Sequence, residues 1–170
     1  MRSTFLSTQA AKAATSRSAG RRVSQKVRVA RWVSRTQNVM PQASSKIDWE
    51  AELAVIVGKS GRRIAQEEAN DYIAGYSICN DVSMRTWQFR TVEWTQGKIW
   101  DSLTPVGPYL VTPDEVGDPQ DLAISCSLNG SIVQRSTTSE MVFGVAELIS
   151  TISQTMTLEP GDCIATGTPP

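Results

Sequence analysis

Residues 47–58 of the 170-residue chain, IDWEAELAVIVG, decide its fold class. The segment begins with alternating apolar and polar residues and ends in an apolar run, a pattern typical of a β-strand that enters a core. Successive side chains of a strand point to opposite faces, so Glu50 and Glu52 share one face, with Cα atoms about 6.5 to 7 Å apart. The segment therefore predicts a strand that brings two carboxylates together.

The chain that follows predicts a second strand, which ends in a third carboxylate. Residues 65–73 are expected to form a short helix closed by Gly75. Residues 76–81 are expected to form the strand, with Asp81 at its end. Residues 83–94 then have a partly helical pattern.

Further polar side chains follow in a helix and a loop. Arg85 and Gln88 are spaced one helical turn apart, so we expect them on a common helix face. Residues 95–108 are rich in turn-forming residues and contain Lys98, as a loop that lines a pocket does.

The later half of the chain predicts scaffold elements. Two alternating segments flank Asn129-Gly130, which is the strongest short-range signal for a β-hairpin. Apolar residues recur at helical spacing in residues 144–153, which predicts an amphipathic helix. Residues 162–166 are expected to form a last strand.

Composition limits the possible classes of function. Hydrophobic residues make up 40% and charged residues 20%, as in ordinary globular proteins. Apolar runs fall far short of the ~20 residues of a membrane span, so we expect no membrane association. The chain has no histidine, which excludes Ser-His triads and histidine-type zinc sites. Cys79, Cys126 and Cys163 are widely spaced and are expected to be reduced core residues.

The charge is divided between two segments. Residues 1–47 carry ten Lys or Arg and no acid, whereas residues 48–170 carry seven Lys or Arg and all seventeen acids. Residues 1–38 are basic, rich in Ser, Arg and Ala and aperiodic, and we expect them to lie outside the packed core. A targeting peptide, a nucleic-acid-binding or membrane-binding arm and a foreign extension are the alternatives. With aromatic residues only at Phe5 and Trp32, nucleic-acid binding is disfavoured. We expect a cytoplasmic location, or a mitochondrial one if this segment is a transit peptide.

The three carboxylates form a candidate site for a hard divalent cation. Oxygen ligands suit Mg²⁺, whereas softer metals prefer cysteine or histidine. From spacing alone, Glu50 and Glu52 are also consistent with the solvated face of an edge strand. By the same criterion Lys98 is consistent with an ordinary surface lysine. The G-T-P segment around Gly167 is consistent with either an anion-binding turn or an ordinary turn.

Six motifs in order resemble those of the fumarylacetoacetate hydrolase family, from about residue 39 to residue 170. They are DWEAELAVIVGK, YIAGYSICNDVSMR, W-x-x-G-K-x-x-D, PVGPY, LNG-x-x-VQ and L-x-PGD-x-IATGTP. The smaller single-domain members include acylpyruvate hydrolases, oxaloacetate decarboxylases and isomerases of 2-hydroxyhepta-2,4-diene-1,7-dioate. The resemblance implies an α+β fold, a mixed β-roll with a few peripheral helices that is usually dimeric. It also implies that residues 39–170 are a partial catalytic domain, truncated at both ends.

The resemblance assigns roles to individual residues. Glu50, Glu52 and Asp81 match the ligands of Mg²⁺ or Mn²⁺, and Lys98 matches a catalytic lysine that contacts substrate oxygen beside the metal. The residues expected to bind substrate are Arg85, Gln88, Lys98 and Thr166. The implied partner is a small 2-oxo or 1,3-dioxo acid.

The chemistry implied is Lewis-acid catalysis of hydrolysis, decarboxylation or isomerisation in carboxylic-acid catabolism. Enolate charge that develops on the substrate would be stabilised by the cation and by Lys98. The histidine with which family members activate water has no counterpart in this sequence. A catalytically impaired metal-binding fragment is therefore the alternative.

Overall fold

The computed structural model describes residues 41–43 and 45–169. The basic segment predicted at residues 1–38 lies outside the described residues. Within them the fold is mixed, with three small antiparallel sheets and short peripheral helices, as expected for an α+β protein. The strands are β1 (Ile47–Asp48), β2 (Ala51–Val57), β3 (Ile73–Asn80), β4 (Ser83–Met84), β5 (Ala123–Leu128), β6 (Ser131–Thr137) and β7 (Cys163–Ala165). The α-helices are α1 (Arg85–Gln88), α2 (Pro113–Val116) and α3 (Val145–Thr155).

Strand β2 is the middle strand of the main sheet, whose order is β3-β2-β7. Both neighbours pair with it in antiparallel orientation, and all seven of its residues are buried. The edge-strand interpretation of the two glutamates is therefore wrong, because β2 is covered on both edges and on both faces.

The two faces of β2 pack into different apolar clusters. Leu53, Val55 and Val57 pack against α3, which contributes Ile149 and Ile152 to the same cluster. The opposite face carries a smaller cluster that contains Ala54, Ile56, Cys79, Val106 and Cys163. Full burial of an aliphatic side chain contributes about 1.5 to 3 kcal/mol, so β2 is anchored strongly on both sides. Glu50 and Glu52, at the start of β2, are therefore held by a strand that is buried along its whole length.

The pairing register of β2 with β3 brings the acidic residues together. Ala51 pairs with Asn80, and the next backbone contact joins the Asp81 N–H to the Glu50 carbonyl at 2.9 Å. Glu52 lies opposite Cys79. Because side chains alternate along a strand, Glu50, Glu52 and Asp81 project to the same face of the sheet. Strands β1 and β4 continue this ladder in the same register beyond the acidic residues.

One predicted helix has a different form in the structure. Residues 65–73 contain a 3₁₀-helix, Gln66–Tyr72, instead of an α-helix. Gly75, predicted to close that helix, lies inside β3, where a Cβ atom would be only 2.5 Å from the Val111 carbonyl oxygen. Close approach of a neighbouring backbone explains this glycine, and a helix end does not.

Other sequence predictions are confirmed. Strands β5 and β6 form the hairpin around Asn129-Gly130, and α3 covers the predicted amphipathic segment. The three cysteines, Cys79, Cys126 and Cys163, are buried and free of disulfides. Among the described residues, no helix has the length and apolar character needed to cross a membrane.

Candidate active site

Three buried carboxylates form a cluster at one end of the β2–β3 pair. Glu50 directly precedes β2, Glu52 is its second residue, and Asp81 directly follows β3. Their exposed fractions are 7%, 2% and 2%, respectively. One oxygen from each side chain lies within 4.8 Å of the oxygens of the other two. This is the grouping predicted from the sequence.

Lys98 binds two members of this cluster. It follows the 3₁₀-helix Trp94–Gly97, and its Nζ donates to Glu50 Oε2 at 2.5 Å and to Asp81 Oδ2 at 2.7 Å. Only 3% of Lys98 is exposed, so the surface-lysine interpretation is wrong. Burial lowers the pKa of Lys98, but the Asp81 and Glu50 carboxylates outweigh burial and raise this pKa above its usual 10.5. The ammonium group is therefore charged at neutral pH.

Arg85 holds the other oxygen of Glu50. Its Nη1 lies 2.8 Å from Glu50 Oε1, and its Nη2 donates to Asp48 Oδ2 at 2.8 Å. Gln88, one helical turn away on α1, accepts from Arg85 Nη1 through Oε1 at 2.7 Å. Glu50 is thus fixed between Arg85 and Lys98. The predicted common face of Arg85 and Gln88 is confirmed.

Close packing between two short helices positions Lys98. A Cβ atom at Gly97 would lie 2.5 Å from the Gln88 Cβ and 2.8 Å from the Gln88 backbone nitrogen. Contacts this short are essentially forbidden, so only glycine allows the segment before Lys98 to approach α1 so closely. The absence of a side chain at Gly97 is what brings the Lys98 and Arg85 segments together.

Glu52 is the least compensated of the three carboxylates. Burial, with a further contribution from the nearby Asp81 charge, raises the pKa of Glu52 from 4.5 to about 8. Its Oε2 accepts a hydrogen bond from the Gly167 backbone N–H at 2.9 Å. The backbone N–H of Gly167 in the G-T-P segment is therefore occupied by a side chain of the protein itself, that of Glu52.

The donor set fits a hard divalent cation. Three carboxylates whose oxygens lie within 4.8 Å of one another offer the ligand type that Mg²⁺ and Mn²⁺ prefer. The raised pKa of Glu52 marks a deficit of positive charge at that side chain. A divalent cation would supply this charge, and the neighbouring Cys163 has a pKa raised to about 11, which disfavours a thiolate ligand.

A cavity of about 440 Å³ opens beside the carboxylate cluster. Its polar end contains Glu50, Glu52, Lys98, Thr166 and Gly167. Its apolar wall contains Trp94, Ile124, Met141, Val142, Phe143 and Leu148. The remaining lining residues are Thr137, Thr138, Glu140, Thr168 and Pro169. The volume is in the usual range for small-molecule sites, ~300 to 1,000 Å³.

Comparison with known proteins places this site in a family. The model of the fumarylacetoacetate (FAA) hydrolase C-terminal family matches residues 13–170. The chain belongs to this family. Among curated family members, the oxaloacetate tautomerase Fahd2a, mitochondrial, of Rattus norvegicus is 47% identical over 133 residues, which cover 78% of this chain and 42% of the relative. The 2,4-didehydro-3-deoxy-L-rhamnonate hydrolase of Sphingomonas sp. (strain SKA58) is 50% identical over 133 residues, 78% of this chain and 47% of the relative.

A solved family structure contains both a metal and a 2-oxo acid. It is the fumarylpyruvate hydrolase from Pseudomonas aeruginosa in complex with Mn²⁺ and pyruvate. It aligns with a TM-score of 0.72 at 35% identity, over 76% of this chain and 57% of that chain. This chain spans less than half of the length of the two curated relatives above.

The structure distributes the predicted FAA hydrolase-family site residues between two layers. Glu50, Glu52, Lys98 and Thr166 border the cavity. Asp81, the third predicted metal ligand, is absent from the lining and contacts Lys98 instead. Arg85 and Gln88 are also absent from the lining, since Arg85 binds Glu50 and Gln88 binds Arg85. The Thr166 hydroxyl donates to the Leu53 carbonyl at 3.0 Å.

The sequence prediction missed other parts of the site. Asp48 anchors Arg85, and the wall segment 140–143 had no motif or periodicity to mark it. Trp94 lies in the W-x-x-G-K motif, but the resemblance gives it no role. The motif was the available signal for that residue.

Proposed function

We propose that this chain is the metal-binding catalytic domain of an enzyme that acts on small 2-oxo or 1,3-dioxo acids. The observation that carries the proposal is the buried cluster of Glu50, Glu52 and Asp81, with Lys98 bound to it at the polar end of a cavity. The three carboxylates would hold Mg²⁺ or Mn²⁺. When bound, the cation would supply Lewis-acid stabilisation of negative charge that develops on a substrate oxygen.

The side chains around the cluster have separable roles in this proposal. Lys98 presents a buried positive charge at the cavity end, where an oxygen that gains negative charge would be stabilised without solvent rearrangement. Arg85 and Gln88 are positioning residues, because they fix Glu50 through hydrogen bonds and an ion pair. Thr166 shapes the polar end. To bind a substrate carboxylate with its hydroxyl, it would exchange the Leu53 carbonyl for the ligand.

Enolisation and decarboxylation fit this site better than hydrolysis does. Both need mainly electron withdrawal from a 2-oxo group, which a cation and an ammonium group provide. Hydrolysis also needs an activated water, and general-base activation typically contributes about 10²- to 10⁴-fold. The chain contains no histidine for that purpose. The rat relative is named as a tautomerase, which is an enolisation activity.

Hydrogen exchange at C3 of a 2-oxo acid tests the proposal directly. The full chain would be incubated with pyruvate and Mg²⁺ in D₂O, and loss of the C3 proton signal would be followed by NMR. We expect Mg²⁺-dependent exchange above the buffer rate that is lost in Asp81→Ala. Asp71→Ala, which removes an exposed carboxylate from the 3₁₀-helix Gln66–Tyr72, is the matched control and should retain exchange.

Each outcome of this assay discriminates between the alternatives. Metal binding without exchange would favour the catalytically impaired fragment and would refute the enzymatic proposal. Exchange that persists in Asp81→Ala would refute the assignment of the site. An acylpyruvate assay run in parallel should show hydrolysis to be weaker than exchange, and a hydrolysis rate within tenfold of a typical ~10 s⁻¹ would contradict the preference for enolisation.

Location and assembly form a separate part of the proposal. A cytoplasmic location remains the prediction, and the mitochondrial alternative is supported by the composition of residues 1–38 and by the name of the rat relative. Import of the full chain into isolated mitochondria, followed by protease protection, would decide between them. Homodimer formation is likewise proposed from the resemblance, and light scattering would test it.

A further inference from the structure

The charges that line the cavity are unevenly distributed. Among the described residues of the lining, Lys98 is the sole cation, whereas Glu50, Glu52 and Glu140 carry carboxylates. Lys98 already binds two carboxylates at the polar end. The rest of the described lining therefore offers no positive charge to a second anionic group on a ligand.

The hydroxyl groups nearest the polar end do not replace that missing charge. Thr166 donates its hydroxyl hydrogen to the Leu53 carbonyl at 3.0 Å. Thr168 donates its own to the Ala51 carbonyl at 3.1 Å. The Pro169 carbonyl, at 3.3 Å, is a second acceptor for the Thr168 hydroxyl. Each hydroxyl has one hydrogen to donate, and backbone carbonyls accept it in both cases.

The remaining surface of the cavity is suited to a neutral, apolar group. The six residues of the apolar wall line the cavity together with the polar residues of the carboxylate cluster. Glu140, the last residue of the 3₁₀-helix Thr138–Glu140, also lines the cavity and is exposed to solvent. A ligand carboxylate placed there would lose hydration against apolar side chains and would meet a like charge.

From this charge pattern we infer that the cavity selects 2-oxo or 1,3-dioxo monoacids with a neutral, apolar tail over diacids, and that Glu140 is a specificity-determining residue that repels a tail carboxylate. The inference rests on the proposed function, since it takes the carboxylate cluster and Lys98 as the site of the 2-oxo acid group. It separates this chain from the rat relative, because oxaloacetate, the compound in that protein's name, is a diacid.

A pair of isosteric ligands isolates the tail charge. 2-Oxoglutarate and 5-methyl-2-oxohexanoate share the same 2-oxo acid group and the same two-methylene spacer, and differ in a terminal carboxylate against an isopropyl group of similar shape. Calorimetric titration of the full chain with each ligand, at fixed Mn²⁺, should show the monoacid binding more tightly by a factor on the order of ten. Glu140→Gln should reduce the ratio of monoacid to diacid affinity, and Glu140→Lys should abolish or reverse the preference.

Matched charge changes elsewhere provide the control. Glu159 is exposed and absent from the lining, so Glu159→Lys makes the same change in net charge and should keep the wild-type ratio. Equal or tighter binding of the diacid by the wild type would overturn the inference while leaving the proposed function intact. The inference would also be overturned if Glu140→Lys left the ratio of monoacid to diacid affinity unchanged. The same conclusion would follow if Glu140→Lys and Glu159→Lys changed this ratio equally. Absence of Mn²⁺-dependent binding of both ligands would refute the proposed function and this inference with it.

Discussion

Replacement of Glu52 by glutamine is expected to stabilise the metal-free protein at alkaline pH while removing a metal ligand. Burial raises the pKa of Glu52 from 4.5 to about 8, so the fold favours the neutral carboxyl. The contribution of Glu52 to stability is therefore fully present below pH 4.5 and is lost as the pH rises to about 8. Glutamine is nearly isosteric, remains neutral throughout, and keeps an oxygen that can accept from the Gly167 N–H.

The size of the effect follows from the pKa. Each pH unit between the unfolded pKa of 4.5 and the folded pKa of about 8 is worth about 1.4 kcal/mol, so ionising Glu52 within the metal-free fold costs on the order of 5 kcal/mol. Mn²⁺ should recover this loss in the wild type, because a bound cation favours the charged form. Addition of Mn²⁺ should change the free energy of unfolding of Glu52→Gln only slightly, because this variant lacks the charged ligand.

Urea unfolding at about pH 5 and about pH 8, in the presence of a chelator, measures this prediction. The wild type should lose several kcal/mol of its free energy of unfolding between the two pH values relative to Glu52→Gln. Glu159→Gln, an exposed change of the same chemistry, should follow the wild type. Parallel pH dependence of the wild type and Glu52→Gln would show that Glu52 is not a strained, buried carboxylate, and the reasoning would fail.

Three further predictions concern the surroundings of the cluster. Lys98→Met should slow C3 proton exchange by about 10²- to 10³-fold, whereas Mn²⁺ binding, measured by EPR, should persist. Lys59→Met, a change at an exposed site, is the control and should retain the exchange rate of the wild type. Gly97→Ala should lower the free energy of unfolding in urea by about 1 to 3 kcal/mol, because the added Cβ collides with α1. Gly144→Ala, whose added Cβ has its nearest contact at 3.5 Å, should lower it less, and equal losses would contradict the packing argument. Burial and two nearby carboxylates raise the pKa of Cys163 to about 11, so a disulfide reagent at about pH 8 should modify it only after unfolding, and rapid labelling of the folded chain would argue against this burial.

The elements with local signals were predicted best from the sequence. The hairpin at Asn129-Gly130 depends on a two-residue turn, and α3 depends on a regular apolar spacing, so each is specified by its own residues. Gly75 was misinterpreted because its role is set by Val111, which is distant in sequence. A local pattern carries no information about such a contact.

The site was predictable in its residues and not in its geometry. Motifs identified Glu50, Glu52, Asp81 and Lys98, but the spacing of the two glutamates alone could not separate a buried cluster from a solvated edge. That distinction depends on β7, which pairs with the edge of β2 opposite β3. Strand β7 lies more than a hundred residues after β2 in the chain, so the local sequence around the glutamates does not specify this pairing. The cavity wall at residues 140–143 depends on how the segment before α3 packs, which has no periodic signature.

Titration with Mn²⁺ tests the central claim most directly, namely that Glu50, Glu52 and Asp81 form one divalent-metal site. Calorimetry at about pH 8, where the Glu52 carboxyl is half ionised, would compare the wild type with Glu52→Ala and with the exposed-site control Glu159→Ala. We predict one Mn²⁺ per chain in the wild type and in the control, and affinity lower by about 100-fold or more in Glu52→Ala. Equal affinity in all three proteins, or no binding in any of them, would contradict the account.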